Sequence, residues 1–213
     1  MNDMEYLSVA GEAKAEFTEK KSRFIGQIKP AESEAEAKAY VASVRAAHRE
    51  ANHHVYAFII GAALQIQRSN DDGEPAGTAG RPLLEALKKA GLVNVVLVVT
   101  RYFGGVLLGA GGLTRAYGRA AALAITQANP MRYLPAQLAA LHFGYELIDR
   151  IESLLAAEGA QIRDKNYAEQ VCYLTAIPLS RLDALQKTLV EISQGSLRFQ
   201  NLPEPVYLQL PVL

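Results

Sequence analysis

"VNVVLVVTRYFGGVLLGAGGLTRAYG", residues 93–118, runs from consecutive apolar positions through a glycine-rich loop into an alanine-rich segment. A strand that is apolar on both faces belongs in the middle of a covered sheet. The continuation from about Leu113 to Ala128 reads as a helix, so this part of the chain is mixed α/β. More than half of the 16 glycines lie between Gly73 and Gly118. Glycine inside a regular element costs about 0.5–1 kcal/mol relative to alanine, so the cluster marks turns or close backbone approach, to another element or to a ligand.

Working outward, "SRFIGQIK" (22–29), "HHVYAFIIG" (53–61) and "ALQIQRS" (63–69) read as strands. Ser33 and Glu36 form a capping-box pattern ahead of a helix bearing Tyr40, Val44 and Ala47. Pro82 suits the first turn of a helix with Leu83, Leu84 and Leu87 on its apolar face, closed by Gly91. "NPMRYLPAQ" (129–137), with two prolines, reads as a linker, and the pattern changes beyond it. Ala139, Leu141, Phe143 and Tyr145 alternate as a strand, and Leu147, Ile151, Leu154 and Leu155 form a helix face ended by Gly159. Strands "AQIRDKNY" and "EQVCYLTAI" follow. Ser180 is then placed to cap a helix bearing Leu182, Leu185, Leu189 and Ile192, before a last strand near "VYLQLPV". The order βαββαβ is the ferredoxin-like plan. The expected fold class is α+β, with an α/β domain over 1–133 and a ferredoxin-like domain over 134–213.

The 22 basic and 22 acidic residues cancel, so net charge names no partner. Their distribution is more informative. From Ala86 to Tyr145 there is no carboxylate, while Lys88, Lys89, Arg101, Arg115, Arg119 and Arg132 all fall there. Such a stretch attracts anions if its side chains converge. The single Cys172 offers neither an intrachain disulfide nor a cysteine zinc site. The early acids argue against a secretory signal and "VVLVV" is too short to span a bilayer, so a cytoplasmic location without membrane contact is expected.

Familiar phosphate motifs fail residue by residue. Gly104 and Gly109 have P-loop spacing, but Ala110 stands where the lysine must be. Gly109 and Gly111 begin a dinucleotide fingerprint that Thr114 breaks, and no acid follows about twenty positions on. What survives is a strand ending near Arg101 and a helix N-terminus with unpaired N–H groups, which together suit phosphate or carboxylate. Arg115 and Arg119, four apart, share a helix face. In this reading Arg101, Arg115 and Arg119 contact phosphate, Gly104, Gly105, Gly109, Gly111 and Gly112 allow close approach, and Gly118 opens the helix side. The plain alternative pairs the arginines with Asp71, Asp72 and Glu74. These acids with His53 and His54 form a second candidate site for acid–base or metal chemistry, although they lack EF-hand spacing and adjacent strand histidines point to opposite faces. Neither a cofactor nor a metal is expected. Ser22 and Ser69 have no base beside them in sequence.

The blocks "KSRFIGQI" (21–28), "HHVYAFIIG" (53–61), "DDGEPAGTAGRPLLEAL" (71–87) and "VVTRYFGGVLLGAGGLTRAYG" (98–118) resemble the IMPACT/YigZ family. The resemblance implies an N-terminal domain of the ribosomal-protein or elongation-factor-G domain IV type with a left-handed crossover. It implies a C-terminal domain like the last domain of elongation factor G. It also implies regulation of translation, with RNA or a ribosome-associated component as partner, and assigns no catalytic residues. An enzyme acting on a small anion and a protein-interaction adaptor are the alternatives.

Overall fold

The computed structural model describes residues 4–212; residues 1–3 and Leu213, which the two expected domains include, lie outside the described residues. The described chain forms two compact units, one over residues 6–132 with 211–212, and one over residues 133–210 with 4–5. No helix among the described residues is long and apolar enough to cross a membrane.

The first unit begins with the short strand β1 (Tyr6–Val9), whose Leu7 carbonyl accepts from Val93 N–H. A five-stranded sheet follows, in the order β2 (Ala13–Glu19), β3 (Ser22–Pro30), β6 (Val95–Tyr102), β4 (His53–Ile60), β5 (Ile66–Asn70). Every neighbouring pair is antiparallel. Helices α2 (Gly80–Lys89) and α3 (Ala110–Gln127) share a core with one sheet face: Leu83, Leu87, Tyr117, Ala120 and Ala124 join Phe24, Ile28, Val55, Leu97 and Val99. Helix α1 (Glu34–Ala47) covers the other face with Ala37, Val41 and Val44 against Phe58, Ile60, Val96 and Val98. Strand β6 is therefore covered on both sides, which explains its unbroken apolar run even in an antiparallel sheet.

Local chemistry sets the joints. Ser33 Oγ accepts from Glu36 N–H at 3.2 Å, while the Glu36 carboxylate accepts from Glu32 N–H at 2.9 Å, one residue ahead of the usual capping box. The buried face of α1 runs through Ala37, Val41 and Val44; the expected Tyr40 packs partly buried against it with its hydroxyl donating to Glu12 at 2.8 Å, and Ala47 is exposed. Helix α3 begins at Ala110, three residues before the expected Leu113. It approaches β3 closely at Gly26, where an added Cβ would lie 2.7 Å from the Ala120 carbonyl oxygen. Gly118, expected to permit such an approach, has nothing within 4 Å of its Cβ position.

The second unit has the strand order β10 (Arg198–Pro211), β7 (Pro130–Phe143), β9 (Val171–Pro178), β8 (Gln161–Tyr167), which is the ferredoxin-like arrangement. Helices α4 (Ile148–Ala157) and α5 (Leu182–Ile192) bring Ile151, Leu155, Leu185 and Leu189 onto Phe143, Val171, Tyr173 and Ile177. Two local expectations are corrected here. "NPMRYLPAQ" is no linker, because β7 starts at Pro130; both prolines precede Ala136, where pairing with β9 begins, so neither removes an N–H from that ladder. Ser180 caps nothing: Pro178 leads into a 3₁₀ turn, Leu179–Arg181, and Leu182 N–H donates to the Leu179 carbonyl.

Candidate functional site

Strand alternation decides which side chains meet. On β6, Arg101 has the parity of Leu97 and Val99, so it lies on the α2/α3 face at only 5 % exposure. Its cross-strand neighbours there are Phe24 on β3 and His53 on β4. The guanidinium carbon sits 5.4 Å from the rings of both Phe24 and Phe103. A buried cation requires a paired acceptor, and Glu74 supplies it. Arg101 Nη1 donates to Glu74 Oε1 at 2.7 Å, and Nη2 reaches Ser22 Oγ at 3.3 Å. The Tyr117 hydroxyl donates to the same Glu74 oxygen at 2.7 Å. Burial first, and then this bond, raise the hydroxyl's pKa well above the ordinary tyrosine value.

Glu74 reaches that position because Asp71 shapes the loop behind it. The Asp71 carboxylate accepts from Gly77 N–H (2.9 Å), Ala79 N–H (3.0 Å) and Gly80 N–H (2.7 Å), capping α2 from outside the helix. Burial alone would push its pKa up, but these N–H groups outweigh it and hold the carboxyl below its ordinary value. Gly80 is needed where the loop folds back: a Cβ there would lie 2.8 Å from the Asn70 backbone. Asp72, at φ +46°, accepts from His54 N–H and from Arg45 Nη2, both at 2.6 Å. Its carboxylate takes over the ladder of β4 beyond Asn70, where β5 stops.

The two histidines separate as strand geometry requires. His54, buried, turns its Nε2 to the His48 carbonyl at 3.1 Å. His53 joins Arg101 and Glu74: its Nδ1 donates to the Asp72 carbonyl at 2.8 Å, and its Nε2 is 3.8 Å from Glu74 Oε1. A cavity of about 370 Å³ opens beside this group, lined by Asn52, His53, Glu74, Arg101, Phe103 and the Gly109–Ala110 entry to α3, with Pro75, Leu107, Leu108 and Leu113 as apolar wall. Among the described residues no group of three or more His, Cys, Asp or Glu side chains is arranged to hold a metal ion.

The expected phosphate contacts divide. Arg101 faces inward and is paired, so it is withdrawn from the set that could meet an outside phosphate. Arg115 is exposed. Arg119 is exposed too, resting 4.4 Å over the Phe17 ring and 3.7 Å from Glu19. Gly104 is a packing residue, since a Cβ there would lie 2.1 Å from the Lys21 backbone, and its N–H donates to Ser22 Oγ. Gly105 and Gly109 hold φ of +82° and +71°; Gly112 packs on Leu108, and Gly111 is open apart from the distant Arg115 guanidinium. Ser22 is fully buried as an acceptor of two N–H groups, which gives it a positioning role. Sequence reasoning missed Tyr117, and also Asn52, whose Oδ1 accepts from Phe103 N–H at 2.7 Å. Neither carries a local signal, because each acts across more than forty residues.

The fold and this cavity define a two-unit α+β protein whose glycine loops frame a buried ion pair. Residues 20–125 match the Impact N-terminal domain and residues 141–196 match a domain of unknown function, DUF1949. The chain is 38 % identical over 187 residues to IMPACT family member YigZ of Escherichia coli (strain K12), covering 87 % of this chain and 92 % of the relative. It is 34 % identical over 190 residues to IMPACT family member YvyE of Bacillus subtilis (strain 168), covering 89 % and 88 %. A solved structure titled "Crystal structure of an hypothetical protein" superposes with a TM-score of 0.61 at 36 % identity, over 94 % of this chain and 98 % of that one. The chain belongs to the IMPACT family.

Proposed function

We propose that the chain is a cytoplasmic, translation-related regulator that binds RNA through a basic face of its first unit, made by Lys20, Lys21 and Arg115 with Arg119 at its edge. One observation carries this reading. Lys20 and Lys21 are the two central residues of the β2–β3 turn, with Glu19 paired to Ser22, and both hold left-handed φ, +44° and +65°. Two-residue turns of this kind favour Asn-Gly, and strained residues persist where function needs their side chains. Both lysines are exposed, and Gly104 packs on the Lys21 backbone, which brings the turn beside the acid-free glycine loop. Family membership and the exposed Arg115 support the same reading.

The test is titration of a fluorescent single-stranded RNA at two salt concentrations. Replacing Lys20, Lys21 and Arg115 together with glutamine should weaken binding and flatten the salt dependence by about two counterions. A parent protein that ignores RNA, or a triple variant with the parent's affinity and slope, would overturn the reading. A companion variant, Lys20→Asn with Lys21→Gly, should raise stability while lowering RNA affinity, since it relaxes the turn and removes the charges.

A further inference from the structure

We infer that the cavity beside Glu74 and His53 receives one unpaired, amine-bearing RNA base in preference to uracil; this rests on the RNA reading and adds a base site to its phosphate contacts. The polar lining accepts hydrogen bonds. The Glu74 side chain is 4 % exposed, and its Oε1 takes both Arg101 Nη1 and the Tyr117 hydroxyl. Its Oε2 has no hydrogen-bond partner among the described residues and is not sealed from solvent. His53 stands beside it with the Nδ1 proton held by the Asp72 carbonyl, so Nε2, 3.8 Å from Glu74 Oε1, is a second acceptor. A carboxylate accepts about four donors, and this one has two. Neighbouring acceptors with no hydrogen between them suit a ligand that donates.

Charge argues against an ion. Arg101 and Glu74 neutralise each other at 2.7 Å, so an anion meets the free carboxylate oxygen and a cation meets the guanidinium. Burying a charge without a free counter-charge is costly. A neutral donor carries neither cost. The exocyclic amine of cytosine or adenine is such a group, whereas uracil presents a carbonyl oxygen where cytosine has its amine.

The walls suit a flat ring. Phe103, Val106 and Leu107 are 43 %, 39 % and 83 % exposed, three large apolar side chains within five residues of one loop. Phe103 and Leu107 line the cavity together with Leu108 and Leu113. The Phe103 N–H is held by Asn52 Oδ1, and its ring lies 5.4 Å from the Arg101 guanidinium. Single-stranded RNA is commonly read by stacking splayed bases on such rings and hydrogen-bonding their edges. About 370 Å³ lies at the lower end of small-molecule sites and suits one base. The basic face adjoins it. Gly104, next to Phe103, packs on the Lys21 backbone, and Ala110 in the cavity wall precedes Gly111, whose Cβ position is 3.9 Å from the Arg115 guanidinium.

The experiment uses the full chain and two sets of probes. Cytidine, adenosine and uridine carry no phosphate and are followed by amide chemical-shift titration. Cytidine and adenosine should shift the Asn52, Phe103, Leu107 and Leu108 signals, with cytidine binding about tenfold more tightly than uridine. Fluorescent oligocytidylate and oligouridylate of equal length carry the same phosphates, so their affinity ratio reads the base, and oligocytidylate should bind more tightly. Phe103→Leu keeps the wall apolar but removes the ring, and should lower cytidine affinity about tenfold. Arg101 and Tyr117 hold the oxygen at the Oε1 position, so Glu74→Gln turns an amide N–H toward the cavity and should move the preference toward uridine. Where Glu74→Gln does not fold, Phe103→Leu carries the test. Equal affinity for the two oligonucleotides overturns the inference and leaves the RNA reading standing. Cytidine binding without RNA binding upholds the base site and overturns the RNA reading. Absence of nucleoside binding at millimolar concentration overturns the inference, as does a Phe103→Leu variant that binds cytidine like the parent.

Discussion

Arg101 Nη1 lies 2.7 Å from Glu74 Oε1, and this buried ion pair ties the last turn of the central strand to the loop that precedes α2. Removing one partner from such a pair leaves an uncompensated buried charge. Glu74→Gln should therefore destabilise the protein by about 3–5 kcal/mol. Arg101→Gln should cost a similar amount, and the double variant should cost less than the two together, because the residues share one network. Urea unfolding of the three variants checks this; simple additivity would mean the pair is not coupled.

Asp71 gives the first unit an acid-sensitive joint. Its folded pKa is depressed, so its contribution is fully present above the ordinary aspartate value near about 3.9 and is lost as pH falls through the folded value below it. Replacing it with alanine strands three N–H groups and should cost about 2–4 kcal/mol at neutral pH. The variant's stability should also fall less steeply below about pH 4 than the parent's. Stability curves from pH 2 to 7 provide the measurement.

Two glycines should respond in opposite directions. Gly26→Ala drives a Cβ into the Ala120 backbone, and overpacking of this kind costs about 1–3 kcal/mol. Gly118→Ala, inside α3 with open space around it, should stabilise by about 0.5–1 kcal/mol. Melting temperatures of the two single variants decide the point, and a destabilised Gly118→Ala would mean that something unseen occupies that surface.

The second unit has its own core, from Phe143 and Tyr173 to Leu189. A truncated chain of residues 133–213 should unfold cooperatively and give dispersed amide resonances. A collapsed spectrum without a thermal transition would show that it depends on the rest of the chain.

Much of this fold was legible because burial and alternation write themselves into sequence. The two-sided covering of β6 follows from "VVLVV", the separation of His53 from His54 follows from strand parity, and the ferredoxin-like order follows from repeated pattern switches. Errors arose where a local signal competes with a tertiary partner. Ser180 looks like a cap until Pro178 starts a tighter turn, and Pro130 and Pro135 look like a linker until the strand uses positions that need no N–H toward β9. Glu74 and Arg101 both stand out in the sequence, and pairing the arginines with the acidic turn is the plain alternative to a phosphate site; the Arg101–Glu74 bond bears that alternative out for this arginine, whereas nothing local indicates that Tyr117 joins them. Part of the glycine cluster serves tight turns and close approach, as at Gly105 and Gly104, but Gly111 and Gly118 do neither, and the tightest helix–strand approach belongs to Gly26, outside the cluster.

The central place of β6 also has a consequence for biosynthesis. Its two sheet neighbours, β3 and β4, both leave the ribosome before it. Until Val95–Tyr102 emerges, β2–β3 and β4–β5 are two separate hairpins, each lacking the neighbour that will cover its β3 or β4 edge. At about 5–20 residues per second, the interval between the end of β5 and the end of β6 lasts about 2–6 seconds. During that time the edges of β3 and β4 are templates for each other or for a neighbouring chain. A polypeptide released before Tyr102 lacks the strand that joins the halves, so translational pausing in this interval should yield chaperone-bound or aggregated product, and pausing after it should not.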